Sequence, residues 1–430
     1  MDKLKNHLIG CDECGLITNV PLLSQAQTAQ CPRCGHTLTQ TPQKPYQTAV
    51  ALTISCLILL VLSLTFPFMS FSVQGMTQEI TLLNAAKMLG EFQNVLLAIL
   101  LFTTVILFPA LYITILLFVS FKAAQSTQRQ LSSSEIQRAK LLCKTLLTVQ
   151  PWLMVDVFLI GVLVSLIKIA SLAEVAMGYS FWAFCFFAML VVKTVSLVDR
   201  YWLWQHFIPA QTPQGVNAGQ THCTHNSVSC HTCQQINLLR PDQKKPTCLR
   251  CGSRLHAYHP QLNLQWAWAL LLAAIIFYIP ANLYPMMYTV SLGKSEGSTI
   301  MQGVIVLWQL GSYPVAMVIF LASIFIPMAK MFALGWLYWQ AGKLNVFPEQ
   351  QNLKRLKLYR VTEFIGRWSM IDIFVVAILV ALVQLHNLMA IYPGPAALSF
   401  AAVVILTMLS AMVFDSRILW QEPPVSHQQQ

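Results

Sequence analysis

Charged residues are scarce in this 430-residue sequence: they make up 10% of the chain, whereas hydrophobic residues make up 56%. A soluble globular domain usually carries about 25% charged residues. The chain therefore has too few charges to cover a water-exposed surface, and a fully soluble protein is excluded. We expect much of its surface to face lipid.

The sequence also lacks the common catalytic motifs. No Walker A loop is present, so we do not expect ATP hydrolysis by this chain. Neither G-x-S-x-G nor H-E-x-x-H occurs. No histidine pair recurs across the apolar segments, and His386 stands alone near the end of one of them, which argues against an intramembrane haem. We predict that the protein is not an enzyme.

A cleavable signal peptide is another absent feature. The first 45 residues are polar and contain no apolar core of the kind that such peptides need. The first apolar run, from about Tyr46 to Phe66, is long enough to span a bilayer. We predict that it remains in the protein as an anchor.

The chain contains an internal duplication. Pro67 matches Pro285 at an offset of 218 residues, and WLMVDVF (152–158) matches WSMIDIF (368–374) at an offset of 216. Many identities at a nearly constant offset indicate two tandem copies of one unit.

Eight apolar segments are long enough to cross a bilayer as helices. They cover residues 46–66, 93–121, 152–172, 180–198, 264–284, 313–341, 369–390 and 395–414. We predict an all-α polytopic membrane protein with two parallel repeats of four transmembrane helices. A small cytoplasmic module of zinc-ribbon or rubredoxin type precedes each repeat.

The composition also predicts where one part ends and the next begins. The predicted parts are a first module (1–45), a first transmembrane repeat (46–205), a second module (206–262), a second transmembrane repeat (263–420) and a tail (421–430).

The basic residues predict the orientation of the chain. If the N-terminus is cytoplasmic, 22 Lys and Arg residues lie in cytoplasmic segments and two, Lys87 and Lys294, lie in the opposite loops. Cytoplasmic loops of membrane proteins carry an excess of Lys and Arg. We therefore predict that both modules and both termini are cytoplasmic. This placement accounts for the net charge of +11 without nucleic acid.

The cysteines are the most specific chemical feature. Eight of the twelve form four C-x-x-C pairs, separated by 16 residues in the first copy and 14 in the second. Two such pairs can fold into a tetrahedral four-thiolate site, which suits zinc and also iron. The predicted ligands are Cys11, Cys14, Cys31, Cys34, Cys230, Cys233, Cys248 and Cys251.

A closed four-thiolate site has no open position for a substrate, so our main interpretation is two structural zinc ions. A rubredoxin-like iron centre and a regulatory metal or thiol sensor are the alternatives. Cys223, His225 and His231 lie near the second module and are either further ligands or part of a polar linker. Glycines that follow the pairs, such as Gly15, favour the positive φ of a tight knuckle.

Prolines interrupt or end four of the spans: Pro67, Pro109, Pro285 and Pro327. A proline in a span frees a backbone carbonyl and kinks the helix. We consider two interpretations, a fixed kink and a hinge that lines a cavity.

Charged residues within the spans are few: Asp156, Lys168, Lys193, Lys330 and Asp372. Charge inside a membrane is costly and often marks a substrate or ion pathway. Long lysines can also extend to the interface, and opposite charges can pair. These residues are our candidates for coupling or a lipid pathway, with interfacial or paired charges as the alternative.

Several segments resemble the paraquat-inducible protein A family, including SLTFPFMS, QEITLLN, YIPANLYPM, GRWSMIDIFVVAILVALV and VFDSRILW. The resemblance covers essentially the whole chain, and all eight cysteines match the family's metal-binding positions. It implies an inner-membrane protein of Gram-negative bacteria that works beside a periplasm-spanning MCE-domain protein (PqiB-like). An outer-membrane lipoprotein is implied indirectly.

The resemblance further implies that such an assembly moves phospholipid between the inner and outer membranes and supports envelope integrity. Two alternatives stay open. One is a rubredoxin-like membrane redox protein that acts in the oxidative stress response. The other is a passive membrane scaffold for the MCE partner.

Overall fold

The described part of the protein is mostly helical and contains five small antiparallel sheets. The computed structural model describes residues 7–21, 23–24, 26–41, 45–73, 76–91, 95–126, 132–169, 174–211, 213, 215–221, 227–239, 246–255, 259–291, 294–309, 311, 313–343, 348–382, 384–385 and 389–420.

The first half starts with the hairpins β1 (His7–Gly10) with β2 (Ile17–Val20) and β3 (Thr28–Gln30) with β4 (Thr37–Gln40). Its helices are α1 (Pro45–Thr65), α2 (Leu82–Glu91), α3 (Val95–Leu101), α4 (Phe108–Ser126), α5 (Ser133–Val149), α6 (Val155–Ile169), α7 (Tyr179–Leu197) and α8 (Arg200–Phe207). Strands β5 (Met69–Val73), β6 (Met76–Ile80) and β7 (Glu174–Met177) form one sheet.

The second half starts with the hairpin β8 (Ser227–Ser229) with β9 (Ile236–Leu238). Its helices are α9 (Pro260–Leu283), α10 (Ile300–Gln309), α11 (Tyr313–Phe320), α12 (Ile326–Gly342), α13 (Glu349–Trp368), α14 (Ile371–Leu382) and α15 (Pro395–Val413). Strands β10 (Met287–Ser291), β11 (Lys294–Ser298), β12 (Gln384–Leu385) and β13 (Met389–Pro393) form its sheet, in the order β11-β10-β13-β12.

The structure repeats its elements at the offsets seen in the sequence. β5 and β10 start at Met69 and Met287, 218 residues apart, and α7 and α15 start at Tyr179 and Pro395, 216 residues apart. The two modules each precede one half. The helices and strands thus show the duplication independently of the residue identities.

Seven helical stretches in the described ranges are long and apolar enough to cross a membrane. They are Gln47–Thr65, Val95–Ala124, Ser133–Ile167, Tyr179–Leu197, Pro260–Leu283, Ala316–Gly342 and Pro395–Val413. Many large apolar side chains on them face outward, such as Val61 (59% exposed), Ile276 (66%) and Phe332 (73%). This pattern fits a multi-pass membrane protein.

The predicted span at 369–390 is not among these seven. Its helix, α14, has 12 residues, about 18 Å at the usual rise, and strands β12 and β13 follow it. Residue 383 and residues 386–388, which include His386, lie outside the described residues. The count of four transmembrane helices in each repeat therefore stays a prediction.

The prediction of an all-α protein missed the strands. The loops that follow α1 and α9 fold into hairpins, with Met69 opposite Ile80 and Met287 opposite Ser298. A third strand joins each hairpin from far along the chain: β7 pairs with β5, and β13 with β10. Pairing satisfies backbone groups that a loop at a helix end would leave open.

Two glycines allow each sheet to meet its helices closely. A Cβ atom on Gly178 would lie 2.0 Å from the carbonyl oxygen of Pro67, and one on Gly394 would lie 2.1 Å from that of Pro285. The same glycines donate backbone hydrogen bonds to Phe68 and Met286, respectively. Pro67 and Pro285 thus lie just beyond the ends of α1 and α9, in contact with the start of α7 and α15.

The other two predicted hinge prolines adjoin π-helical turns. Residues Phe102–Leu107 and Leu321–Phe325 are π-helical, and Pro109 and Pro327 follow two residues later in each case. A proline cannot donate to the carbonyl four residues earlier, and a wider turn relieves this interruption. The structure places an irregular turn at matching positions of both halves, and whether it bends during function stays a prediction.

The two halves meet mainly through α6 and α14. Gly161 lies against Phe374: a Cβ atom added to this glycine would lie 3.0 Å from the Phe374 Cβ. Phe158 and Phe374 form an edge-to-face pair with centroids 5.5 Å apart. The Ser165 hydroxyl donates to the Val375 carbonyl oxygen at 3.4 Å. Small residues on one helix therefore let the other approach closely.

Candidate metal centres and their contacts with the helices

Each C-x-x-C pair forms the same knuckle. The first cysteine accepts a backbone bond from the residue four positions later, as Gly15 N to Cys11 O at 3.0 Å and Gly252 N to Cys248 O at 2.9 Å. The donor residue has a positive φ in all four knuckles: Gly15 (77°), Gly35 (69°), Gln234 (57°) and Gly252 (70°). Three of these donors are glycines, as the sequence predicted. In the knuckle of Cys230 and Cys233 the donor is Gln234, which adopts the left-handed conformation at a steric cost.

The knuckles bring four buried cysteine sulfurs together in each module. Sγ–Sγ distances are 3.5 Å for Cys11–Cys34, 3.6 Å for Cys14–Cys31, and 3.5 Å for both Cys230–Cys251 and Cys233–Cys248. All four sulfurs of each set lie within 4.8 Å of one another. A tetrahedral site with Zn–S bonds of about 2.3 Å needs sulfurs about 3.8 Å apart. Both clusters could therefore hold a metal ion.

Hydrogen bonds among the thiols of each cluster raise the pKa of two cysteines and lower the pKa of the other two. Hydrogen bonds from Cys230 and Cys233 lower the pKa of Cys248 to about 6, and they also lower the pKa of Cys251. In the first module, hydrogen bonds from Cys11 and Cys14 similarly lower the pKa of Cys31 and Cys34. Thiolates are the form that binds a metal cation.

The other predicted ligands fall outside these clusters. Cys223 and His225 lie outside the described residues. His231 is exposed within its knuckle, and its backbone carbonyl accepts a bond from Arg200 at 3.5 Å. Of the three remaining described cysteines, Cys56 and Cys143 are buried and Cys185 is half-buried.

The two modules pack against each other. Gln234 Nε2, in the second module, donates to Asp12 Oδ2 in the first at 3.2 Å. Ile17 of β2 packs with Val216 and Ile236, which lie in the second module. The modules therefore form one structural unit at one end of the helices, which we call the module end.

Module 1 contacts the second half through Glu13. The Glu13 carboxylate binds Arg360 of α13 and the His36 ring at 3.1 Å, and its backbone carbonyl accepts a bond from the Ser416 hydroxyl at 3.1 Å. Burial would raise the pKa of Glu13, but the bonds from His36 and Arg360 outweigh it and hold that pKa below its usual range. Module 1 also contacts the first half, where Asp199 accepts from Thr39 Oγ1 at 2.9 Å.

Module 2 contacts the end of the first half through Arg250. This arginine is 2% exposed and donates to the carbonyl oxygens of Ile208 at 2.8 Å and Cys233 at 3.0 Å, and to Gln205 Oε1 at 3.1 Å. Its guanidinium also lies over the Tyr201 ring, 5.5 Å from the centroid.

Arg33 holds the equivalent place in module 1, and it lies over Trp420 at 4.5 Å. Trp420 belongs to the short 3₁₀ helix Ser416–Trp420 that ends the second half. Each module therefore packs on the end of the repeat that it does not precede. Arg33 and Arg250 share a position in the second knuckle of their modules, directly before the last cysteine, and this match is visible in the sequence.

The three predicted intramembrane charges whose side chains the structure describes, Asp156, Lys193 and Lys330, do not form one cluster. Asp156 pairs with Arg367 at the end of α13, with 3.3 Å between Oδ2 and Nη2. Lys193 is exposed on α7. Lys168 lies in α6 and Asp372 in α14, but their side chains fall outside the described part of the structure.

Among the predicted intramembrane charges whose side chains are described, Lys330 of α12 is deeply buried, at 3% exposure. Its Nζ donates to Thr407 Oγ1 of α15 at 3.0 Å. A Cβ on Gly366 of α13 would lie 2.9 Å from the same nitrogen. The equivalent residue in the first half is Tyr112, whose buried hydroxyl has no hydrogen-bond partner within the described ranges. The two halves therefore differ at this position.

The fold and the paired cysteine clusters define a duplicated, multi-pass membrane protein with a four-cysteine module before each half. The family model described as "Paraquat-inducible protein A" matches residues 46–208 and 264–423. The chain belongs to this family, as the sequence motifs predicted.

Curated relatives match almost the whole chain. "Intermembrane transport protein PqiA" of Escherichia coli (strain K12) is 40% identical over 98% of this chain and 97% of its own length. "Probable intermembrane transport protein" of Haemophilus influenzae is 31% identical over 96% of each chain. "Lipophilic envelope-spanning tunnel protein A" of E. coli is 27% identical over 95% of this chain and 90% of its own. No solved structure matches the chain.

Proposed function

We propose that this protein is the inner-membrane subunit of an MCE-type system that moves phospholipid between the inner and outer membranes and supports envelope integrity. The observation that carries the proposal is full-length similarity to proteins whose names specify intermembrane transport, at 40% and 31% identity. The apolar helices support a membrane location. A periplasm-spanning MCE-domain protein is the partner that would extend the path, with an outer-membrane lipoprotein at its far end.

The proposed orientation places the module end in the cytoplasm. It places the two larger sheets, β6-β5-β7 and β11-β10-β13-β12, in the periplasm. The 22 Lys and Arg residues of the module end, against two in the opposite loops, support it. The proposed units keep the predicted boundaries, with modules at 1–45 and 206–262, membrane repeats at 46–205 and 263–420, and a tail at 421–430. The sheets would face the partner.

Each module would bind one zinc ion through its four cysteines. Zinc supplies structure here, because four thiolates fill a tetrahedral site and leave no position for substrate. The protein's own residues would then carry out the remaining roles. Arg250 and Arg33 hold the modules on the helix ends, and the spans offer the lipid-facing surface.

Lys330 is our first candidate for coupling within the spans, followed by Asp156, Asp372, Lys193 and Lys168. Its burial beside Thr407 supports this choice, since burying an ammonium within a span is costly and such a group is kept where a function needs it. We expect Lys330→Met to reduce envelope protection while protein level stays normal. Lys354→Met, which removes an exposed lysine of α13, is the matched control. Equal protection by both variants would contradict a role for Lys330.

The test of transport is lipid transfer between vesicles. Labelled phospholipid in donor vesicles that contain the protein should reach acceptor vesicles only when the MCE-domain partner is added. Transfer by the partner in protein-free vesicles at the same rate would instead indicate a passive scaffold.

A redox protein with rubredoxin-like iron is the second candidate, because a four-thiolate site also suits iron. Elemental analysis distinguishes the two. A colourless protein with about two zinc atoms per chain supports structural modules, whereas a red protein that contains iron supports electron transfer.

A further inference from the structure

Arg360 of α13 bridges the two knuckles of module 1. Its guanidinium binds both carboxylate oxygens of Glu13, in the first knuckle, and donates to the Cys34 carbonyl oxygen, in the second, at 3.1 Å. Glu13 and Cys34 lie in different hairpins. They come within reach of one side chain because the four-cysteine core holds the hairpins together.

The same helix reaches the contact between the two halves. Gly366 lies against the Lys330 ammonium, and Arg367 pairs with Asp156 of the first half. Arg367 is seven residues after Arg360, about two helical turns, so both lie on one side of α13. A single continuous helix therefore connects module 1 to α6 and α12.

Module 1 also borders an open cleft. A cleft of about 880 Å³ lies between the two modules and the ends of α9 and α15, and its lining includes Asp12, Glu13 and His36 of module 1. Arg360 thus holds module 1 beside an open space rather than within a packed core.

We propose that α13 couples metal occupancy of module 1 to the contact between the two halves. A bound metal fixes the separation of the two knuckles, and Arg360 then bonds both. When the metal leaves, the four cysteines no longer hold the knuckles together. Arg360 loses its paired acceptors and α13 loosens. The proposal rests on metal binding by module 1 and is independent of lipid transport.

Coupling of this kind is reciprocal. If metal binding favours the docked α13, the docked α13 must favour metal binding to the same extent. Removing the Arg360 guanidinium should therefore weaken metal binding by module 1. We expect about a tenfold lower metal affinity in a chelator titration, within the usual range of coupling between sites.

The experiment uses the full chain in detergent or nanodiscs, as wild type, Arg360→Ala, Arg360→Lys and Lys357→Ala. Lys357 is an exposed cation on the same helix, so its removal controls for the loss of one charge. Metal content is measured with and without chelator, and hydrogen exchange is followed in peptides from module 1, α13 and α7. The α7 peptides report whether the whole protein unfolds.

In wild type and Lys357→Ala, metal removal should accelerate exchange in α13 but leave α7 unchanged. In Arg360→Ala, the amide hydrogens of α13 should exchange fast even with metal bound. Metal removal should then increase their exchange rate only slightly. Arg360→Lys keeps the charge without the forked donors and should resemble Arg360→Ala, so it serves if the alanine variant does not fold.

The proposal is overturned if the hydrogen-exchange rate of α13 in the wild type does not change when metal is removed. It is also overturned if Arg360→Ala responds to metal removal like Lys357→Ala. Exchange that rises equally in α7 would also overturn it, because the metal would then hold the whole fold. A chain that binds no metal in module 1 would overturn the metal assignment and this proposal together, while leaving the transport proposal intact.

Discussion

At the scale of residues, the backbone contacts of Gly178 and Gly394 constrain the fold most strongly. Their missing side chains let the start of α7 and of α15 touch the carbonyl oxygens of Pro67 and Pro285. Both glycines have ordinary negative φ values, so the requirement is space and not conformation. Their positions match at the repeat offset, which is the clue that the sequence offered.

We predict that Gly178→Ala and Gly394→Ala each destabilise the protein by about 3 kcal/mol, the upper end of typical overpacking costs. A Cβ 2.0 Å or 2.1 Å from a backbone oxygen forces the sheet away from the helix. Thermal unfolding in detergent measures the effect as a lower melting temperature. Gly303→Ala is the control, since no atom lies within 4 Å of its added Cβ. A melting temperature like that of the control would refute the contact.

The metal centres show how far residues alone can be interpreted. The C-x-x-C spacing was enough to place all eight cysteines in two clusters, because a knuckle is a local structure. Arg360 and Glu13 could not be predicted in the same way. Their contact joins positions 347 residues apart and depends on how a module docks on a helix. Arg360 also has no arginine at the equivalent position of the first half, where Lys144 stands.

At the scale of elements, apolar length predicted most helices and missed the strands. Seven of the predicted spans overlap a helical stretch long and apolar enough to cross a membrane, because about twenty apolar residues specify a span by themselves. Strands β5 and β7 are short and pair across about 100 residues, so neither is stable alone. Helix α13 packs against the end of α15. Its Tyr359 hydroxyl donates to the Ala411 carbonyl oxygen at 3.0 Å.

The docking of module 2 on α8 gives a prediction at this scale. Arg250 satisfies three acceptors from a buried position, so Arg250→Ala leaves buried carbonyls without donors. We expect a loss of about 3 kcal/mol in stability and easier release of metal from module 2. Differential scanning fluorimetry and metal release measure the two effects. Arg254→Ala removes an exposed arginine from the same module and should change neither. Similar behaviour of both variants would show that the Arg250 contacts are dispensable.

At the scale of the whole molecule, the two units are interlocked rather than simply joined. Module 1 packs on the end of the second half through Arg360, Ser416 and Trp420, while module 2 packs on α8 of the first half. Their order along the chain did not indicate this exchange, because either module could reach either half. The helices α6 and α14 join the halves within the spans.

The interlocked arrangement also makes a sharp prediction about orientation. Both modules lie at one end of the molecule, and the two larger sheets lie at the other. Labelling one residue at each end therefore determines the side of the membrane on which every element lies. We expect Ser295→Cys, exposed on β11, to react with a membrane-impermeant maleimide in spheroplasts. Ser133→Cys, exposed at the start of α5 near the module end, should react only after lysis. The excess of Lys and Arg at the module end is the physical reason. Labelling of Ser133→Cys in intact spheroplasts, with Ser295→Cys protected, would place the modules in the periplasm and contradict the proposed direction of the partner.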